Sequence, residues 1–409
     1  MMPLVAPPSQ EGTTVAPGAL AATLARAKPG EAFLLSPGVH PGPITIEKPV
    51  SIWGPRDAVV RSTGVGTTIA VESPNVRLLG FTVDGSGSRF DLTDAAVRVR
   101  ASDVEVRGLH IRGALFGILV ELAERVRIAG NFVEGTGQEA FGLRGDGIRF
   151  WEVKDSTIED NRILHARDVV VWYSSGNSIV RNDIQGCRYG THFMYSHENR
   201  IEDNRYQKNV VGIFVMYSHD VTLRRNLLAR CSGAAGIGLG VKESGNLEVI
   251  ENAFLANTTS VYLDTSPLDR GHVNHFARNH FRMSEVAVGF HSSPNRNHFE
   301  GNTLQDNARQ VSVGGGGDAI GATWTGNCWN DYQGYDLDGD GIGDVPYELR
   351  SLSGELVGKK PELAFFRGSP ALGMVDVVAR VVPLFAPKRL LVDPEPRMNA
   401  VPLEWFDAR

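Results

Sequence analysis

Cysteine is scarce, with three in 409 residues, and Cys187, Cys231 and Cys328 lie too far apart for a Cys-x-x-Cys metal or redox motif. A dense disulfide framework is thereby excluded. No apolar run reaches the roughly 18 residues that a membrane-spanning helix needs. Neither sign of charge dominates: 41 Lys and Arg stand against 47 Asp and Glu, so there is no basic footprint for nucleic acid. The opening residues 1–8 have neither a basic n-region nor a long apolar h-region, so they are not read as a signal peptide. The expectation is either a cytosolic protein or a mature form given a new start. What is present, 42% hydrophobic and 22% charged residues with 46 Gly, is the composition of a folded chain with many tight turns.

The strongest positive signal is an internal repeat. Asn recurs ahead of a variable and then an apolar residue at Asn131, Asn161, Asn182, Asn204, Asn226, Asn252, Asn279, Asn302 and Asn327, with central steps of 21, 22 and 22 residues. The central copies read GIRFWEVKDSTIEDN, DVVVWYSSGNSIVRN, GTHFMYSHENRIEDN and GIFVMYSHDVTLRRN. Short runs rich in Val, Ile and Phe between Ser, Asn and Gly turns are strands, and about 22 residues is too short a period for a helical hairpin. The leucine-rich-repeat signature is absent. These features predict an all-β chain, a right-handed parallel β-helix whose coils stack at about 4.8 Å and whose asparagines form a ladder. The expected organisation is an N-terminal cap over 1–28, helical over 14–28, then a β-helix over 29–330, an acidic Gly-rich loop over 331–350 and a C-terminal tail over 351–409.

Strand alternation assigns the faces. Ile213 and Val215 point to the core, so the outward columns are Trp151, Trp172, Met194, Met216 and Arg149, Val170, His192, Phe214. Lys154, Ser175, His197 and His219 stack at the following turn. The repeated MYSH tetrapeptide puts thioether and imidazole donors on adjacent coils, close enough to share one ion. Met194, Met216, His197, His219 and His192 are therefore the candidate metal ligands, and a set lacking thiolate and carboxylate favours Cu(I). The competing readings are Met as core filler and a tetrapeptide duplicated for structure alone.

A second functional class shares this face. Trp151, Trp172, Tyr173, Tyr195 and Tyr217 form an aromatic strip of the kind on which β-helical pectate lyases and alginate epimerases bind glycans. Asp146, Glu152, Asp155 and Lys154 are the groups that such proton-abstraction chemistry could recruit. None of them repeats between coils.

Beyond the repeats, Asp336, Asp338, Asp340 and Asp344 in YDLDGDGIGDVPY have the spacing of the first half of a calcium loop. The twelfth-position Glu is replaced by Tyr347, so the alternatives are a structural calcium site and a solvated turn. Ser369 and Pro370 are an N-cap and first-turn pair for a helix over 371–384. Its apolar residues, among them Leu372, Val375, Val378 and Val382, nearly encircle it, which suits docking on a hydrophobic or membrane-proximal partner as well as ordinary capping.

The Asn-period repeats, the MYSH pair and NCWNDYQGYDLDGDGIGDVPY followed by FFRGSPAL resemble the NosD family, β-helical maturation proteins of nitrous oxide reductase. The resemblance covers nearly the whole chain from about Pro29, and the acidic segment and the RGSPAL tail are its specific part. It implies a periplasmic, non-catalytic subunit of an ABC complex that takes Cu(I) from a lipoprotein copper chaperone and delivers it to apo nitrous oxide reductase. The membrane permease and the ATPase would be separate chains, in keeping with the lack of a Walker motif here. The family normally enters the periplasm through a cleaved signal, so the localisation implied is that of a processed form.

Overall fold

The computed structural model describes residues 12–314, 317–350, 356, 360–366, 369–381, 387 and 389–407. Its fold class is the all-β right-handed parallel β-helix expected from the repeat. The chain forms two units, Met1–Val210 and Val211–Arg409.

In the first unit each coil supplies three short strands. One coil carries Ile148–Lys154, Thr157–Glu159 and Arg162–Leu164, and the next carries Asp168–Trp172, Ser178–Val180 and Asp183–Gln185. Equivalent strands pair parallel and in register, Phe150 opposite Val171 and Trp151 opposite Trp172. Like residues therefore stack: Ile158, Ile179 and Ile201 form one fully buried column, and Ile163, Ile184 and Tyr206 another. At the N-terminal end the helix is shorter than the expected 14–28. Thr13–Val15 is a strand paired with Ala32–Leu35, and Pro17 and Gly18 separate it from the helix Leu20–Arg26, which buries Leu20 and Leu24 over the core.

The repeating asparagines are the turn chemistry of the coils. All nine are at most 1% exposed. In the first unit Asn182 accepts the backbone N–H and the side-chain N–H of Asn161 on Oδ1, at 2.9 and 3.0 Å, and donates to the Ile158 carbonyl at 2.9 Å. The residue before each is left-handed, Asp160 at φ 54° and Arg181 at φ 56°. A non-glycine residue there costs about 1–2 kcal/mol, which the ladder hydrogen bonds offset. Short buried columns of Ser and Asn at the neighbouring turn, such as Ser156, Ser174 and Asn177, add to this and have no strict period in the sequence.

The second unit repeats the plan from Val211–Met216 through Thr323–Thr325 and Cys328–Trp329. Part of the 351–409 tail is built into it. Arg389–Asp393 pairs antiparallel with Tyr347–Arg350, and Leu403 packs among Leu227, Ala229 and Ala253 with Trp405 and Phe406 beside it. Trp405 Nε1 donates to the Glu251 carbonyl at 3.0 Å.

Candidate functional site

On the first unit the long-strand sheet presents Trp151, Trp172 and Met194, each half-buried, along the expected outward column. The next residue along each strand turns left-handed, Tyr173 at φ 52° and Tyr195 at φ 50°, and swings its ring into solvent. Tyr173 and Tyr195 stack at 5.4 Å with planes 7° apart, and Trp151 lies 5.2 Å from Tyr173. Beside them an open cleft of about 360 Å³ is lined by Arg100, Glu121, Leu122, Arg149, Trp151 and Glu152.

The second expected outward column is not open. Val170 and His192 are 1% and 7% exposed, because the outer side of this sheet is itself covered. His192 stands edge-on to Trp172 at 5.4 Å and lies 4.8 Å from Tyr189. Burial lowers its pKa to about 4, so the ring is neutral at physiological pH. The expectation of His192 on an exposed metal-binding face is corrected accordingly. Phe214, in the second unit, is likewise 8% exposed.

A pH dependence follows from this burial. Between pH 6.5 and 4 the unfolded chain protonates His192 while the folded chain resists it, so stability falls as the pH drops through that window and levels off below it. At pH 5 the loss is about 2 kcal/mol relative to pH 7. His192→Phe should flatten that part of the profile in urea denaturation. An identical slope in the variant would refute the assignment.

Next to His192 lies a buried ionic cluster that periodicity could not reveal. Asp146 is fully buried, accepts Arg167 Nε at 2.9 Å on Oδ1 and forms an ion pair through Oδ2 with Arg149 Nη2 at 2.7 Å. Burial pushes its carboxyl above the usual range, and the two guanidiniums oppose that shift. Asp168 accepts Arg188 Nε at 3.0 Å and the Tyr189 backbone N–H at 3.1 Å. Arg149 lies over the Phe116 and Trp172 rings, 5.5 and 5.7 Å from their centroids. Carboxylates held in this way position the sheet's outer layer and are poorly placed to act as general bases. Glu152, Lys154 and Asp155 are exposed, and Glu152 accepts Trp151 Nε1 at 3.2 Å.

The other MYSH residues divide between the units. His197 is half-buried in the first. Met216 and His219 are half-buried in the second, where Asp220 accepts from His219 Nδ1 at 2.6 Å. His272, which the repeat did not single out, has its ring centroid 5.6 Å from that of His219.

In the acidic loop, carboxylate oxygens of Asp336, Asp338 and Asp340 come within 4.8 Å of one another. Asp344 is not part of this group: its Oδ2 accepts the Leu337 N–H at 2.6 Å. Asp336 accepts from Gly339 and Gly341 at 2.7 and 2.9 Å, and these bonds hold its carboxyl below the ordinary range. In the helix Pro370–Val381, Met374, Val377 and Val378 are exposed and Val375 is half-buried. The Leu372 side chain and Val382 lie outside the described residues. Cys187 is buried, which pushes its thiol pKa up to about 12 and makes it a packing residue.

The fold is shared with the catalytic unit of a GH87 α-1,3-glucanase from Streptomyces thermodiastaticus. That structure superposes with a TM-score of 0.58 at 14% identity, covering 80% of this chain and 71% of the other. At that identity the likeness extends to architecture alone. Sequence comparison is more specific. The chain is 26% identical over 377 residues to a probable ABC transporter binding protein NosD from Stutzerimonas stutzeri, covering 86% of this chain and 83% of the relative. It is 27% identical over 369 residues to the protein of the same description from Pseudomonas aeruginosa, at 86% and 84% coverage. Residues 133–334, which hold the central coils and the MYSH pair, match the family described as periplasmic copper-binding protein (NosD), in agreement with the likeness to the two NosD proteins along most of the chain.

Proposed function

We propose that this chain is the non-catalytic, periplasmic copper-handling subunit of an ABC-type complex, taking Cu(I) from a chaperone lipoprotein and passing it to apo nitrous oxide reductase during cluster assembly. The observation that carries this reading is the repeated MYSH tetrapeptide inside the family-matched repeats. It offers Met194 and His197 from the first unit and Met216 and His219 from the second, all half-buried. Soft thioethers with imidazoles suit Cu(I), and incomplete, solvent-accessible ligand sets suit transfer over storage. The permease and ATPase of the complex are separate partners. The exposed apolar face of Met374, Val377 and Val378 fits docking on the membrane subunit. Because the residues after this helix include Arg389–Asp393 and Leu403, docking is better probed by helix substitutions than by truncation.

The glycan reading retains one supporting observation, the exposed Tyr173–Tyr195 stack beside the cleft. Against it stands the engagement of Asp146 and Asp168 by arginines. Anaerobic Cu(I) titration of the purified chain is the test. Wild type should bind, Met194→Ala with Met216→Ala should weaken affinity at least about tenfold, or ~1.4 kcal/mol, and uronan substrates should be left intact. Unchanged Cu(I) affinity and reductase maturation in the double variant, or lyase activity in the wild type, would overturn the reading. Calcium at Asp336, Asp338 and Asp340 is a structural addition to the proposal, and heat release on Ca²⁺ titration of the same preparation, lost in Asp338→Asn, is its check.

A further inference from the structure

We infer that His272 pairs with His219 to form a two-imidazole Cu(I) site on the second unit, with Gly245 as the cradle that lets the two rings meet. The inference rests on the copper-handling reading and names one of its binding sites.

His219 bridges to Gly245 in the next coil, and His272 enters from the loop that follows the strand Thr259–Asp264. Two intervals of coil stacking separate histidine backbones by about 9–10 Å, too far for ordinary side chains of the intervening coil to be ignored. The intervening residue is glycine. A Cβ on Gly245 would lie 2.6 Å from His272 Cβ and 2.7 Å from its Nδ1. Its φ is outside the left-handed region, so room, not backbone conformation, is what glycine supplies here. Through that gap the rings approach to 5.6 Å at 52°.

The carboxylates around the pair set its chemistry. His219 Nδ1 lies 2.6 Å from Asp220 Oδ2, and His272 Nδ1 lies 3.5 Å from Asp269 Oδ2. Asn246 Nδ2 fixes the other Asp220 oxygen at 3.1 Å. At His219 the hydrogen-bonded Asp220 carboxylate holds the proton on Nδ1 and so presents Nε2 to a metal, the arrangement by which outer carboxylates orient metal-binding histidines and raise their basicity, whereas Asp269 stands beside His272 at ion-pair distance only. Metal–imidazole bonds are about 2.0–2.1 Å, so one ion needs the two Nε2 atoms about 4 Å apart, a spacing that rings with centroids 5.6 Å apart can reach by turning. Side-chain exposures of 38% for His219 and 23% for His272 keep the site open to an incoming donor. Two nitrogens leave positions for a ligand from the protein that delivers or receives the metal, which is what a transfer site requires.

The experiment is an anaerobic Cu(I) competition titration of the full chain with X-ray absorption of the loaded protein, comparing wild type, His219→Ala, His272→Ala and Gly245→Val. Wild type should show imidazole scattering from two rings. His272→Ala should lose one ring and at least about tenfold in affinity. Gly245→Val should reproduce that loss with an unchanged circular dichroism spectrum. If His219→Ala weakens binding while His272→Ala leaves affinity and ring count unchanged, the pairing is overturned and the copper reading stands. If the wild type takes up no Cu(I), both fall. Should Gly245→Val misfold, His272→Ala alone decides.

Discussion

Asn182→Ala is expected to destabilise the first unit by about 3 kcal/mol, more than most core truncations by a few atoms. The residue is 1% exposed and its amide sits at the centre of the ladder. Its loss leaves the buried Asn161 N–H without its acceptor at 2.9 Å and the Ile158 carbonyl without its donor at 2.9 Å. Each stranded buried group costs about 1–3 kcal/mol. Asn161 Nδ2 keeps its bond to the Ile128 carbonyl, the Asn182 backbone N–H keeps Asn204 Oδ1, and the Val180 carbonyl loses Asn182 Nδ2 at 3.2 Å but keeps the Asp160 N–H at 3.0 Å, so two groups bear the main loss. Without the ladder, the left-handed Arg181 at φ 56° also loses its compensation. Urea denaturation should show the drop, with Arg200→Ala, an exposed side chain, changing stability by no more than about 0.5 kcal/mol. A loss under about 1 kcal/mol for Asn182→Ala would mean that water replaces the ladder bonds.

That ladder explains why so much of the fold was legible. Parallel in-register stacking converts a structural position into a sequence period, so the nine asparagines and the Ile and Val columns announced the coil directly. The same logic correctly turned Trp151, Trp172 and Met194 outward. It failed at His192 because alternation tells which side of a sheet a residue faces and says nothing of what lies on that side. Here that layer includes the cluster of Ala95, Phe116 and Leu119, with Phe90 edge-on to Phe116 at 5.9 Å, and the Asp146 and Asp168 ion pairs. His272 was illegible for a related reason. It sits in an irregular loop, and its meeting with His219 depends on the missing Cβ of Gly245, which lies against it. The tail was only half legible: its helix start at Pro370 carried a cap signature, whereas the residue that closes the second unit carried none.

That residue is Asp393, and Asp393→Ala is expected to cost the second unit about 4–5 kcal/mol. Asn327 is the last asparagine of its ladder, so no further coil supplies an Oδ1 above it. Asp393, 66 residues on and fully buried, supplies it instead: its Oδ2 accepts the Asn327 N–H at 3.0 Å, Asn327 Nδ2 at 2.9 Å and Trp329 Nε1 at 3.1 Å. Its Oδ1 accepts the Gly326 and Glu395 N–H groups, both at 3.2 Å. Five donors converge on one carboxylate, so truncation strands the buried Asn327 N–H and Trp329 Nε1 and takes an acceptor from the half-buried Gly326 N–H as well, while Asn327 Nδ2 keeps the Phe299 carbonyl at 3.0 Å. Asp393→Asn separates hydrogen bonding from shape. An amide offers one acceptor oxygen, and its NH₂ must then face the donors on the other side, so about half of the loss should remain. The readouts are the urea midpoint and hydrogen exchange over Thr323–Thr325 and Cys328–Trp329, together with Trp329 fluorescence, because the ring stacks on Tyr347 at 4.4 Å and would be exposed by opening. If Asp393→Ala kept wild-type protection there, the tail would be a passenger on the solenoid, and its removal would leave the second unit folded.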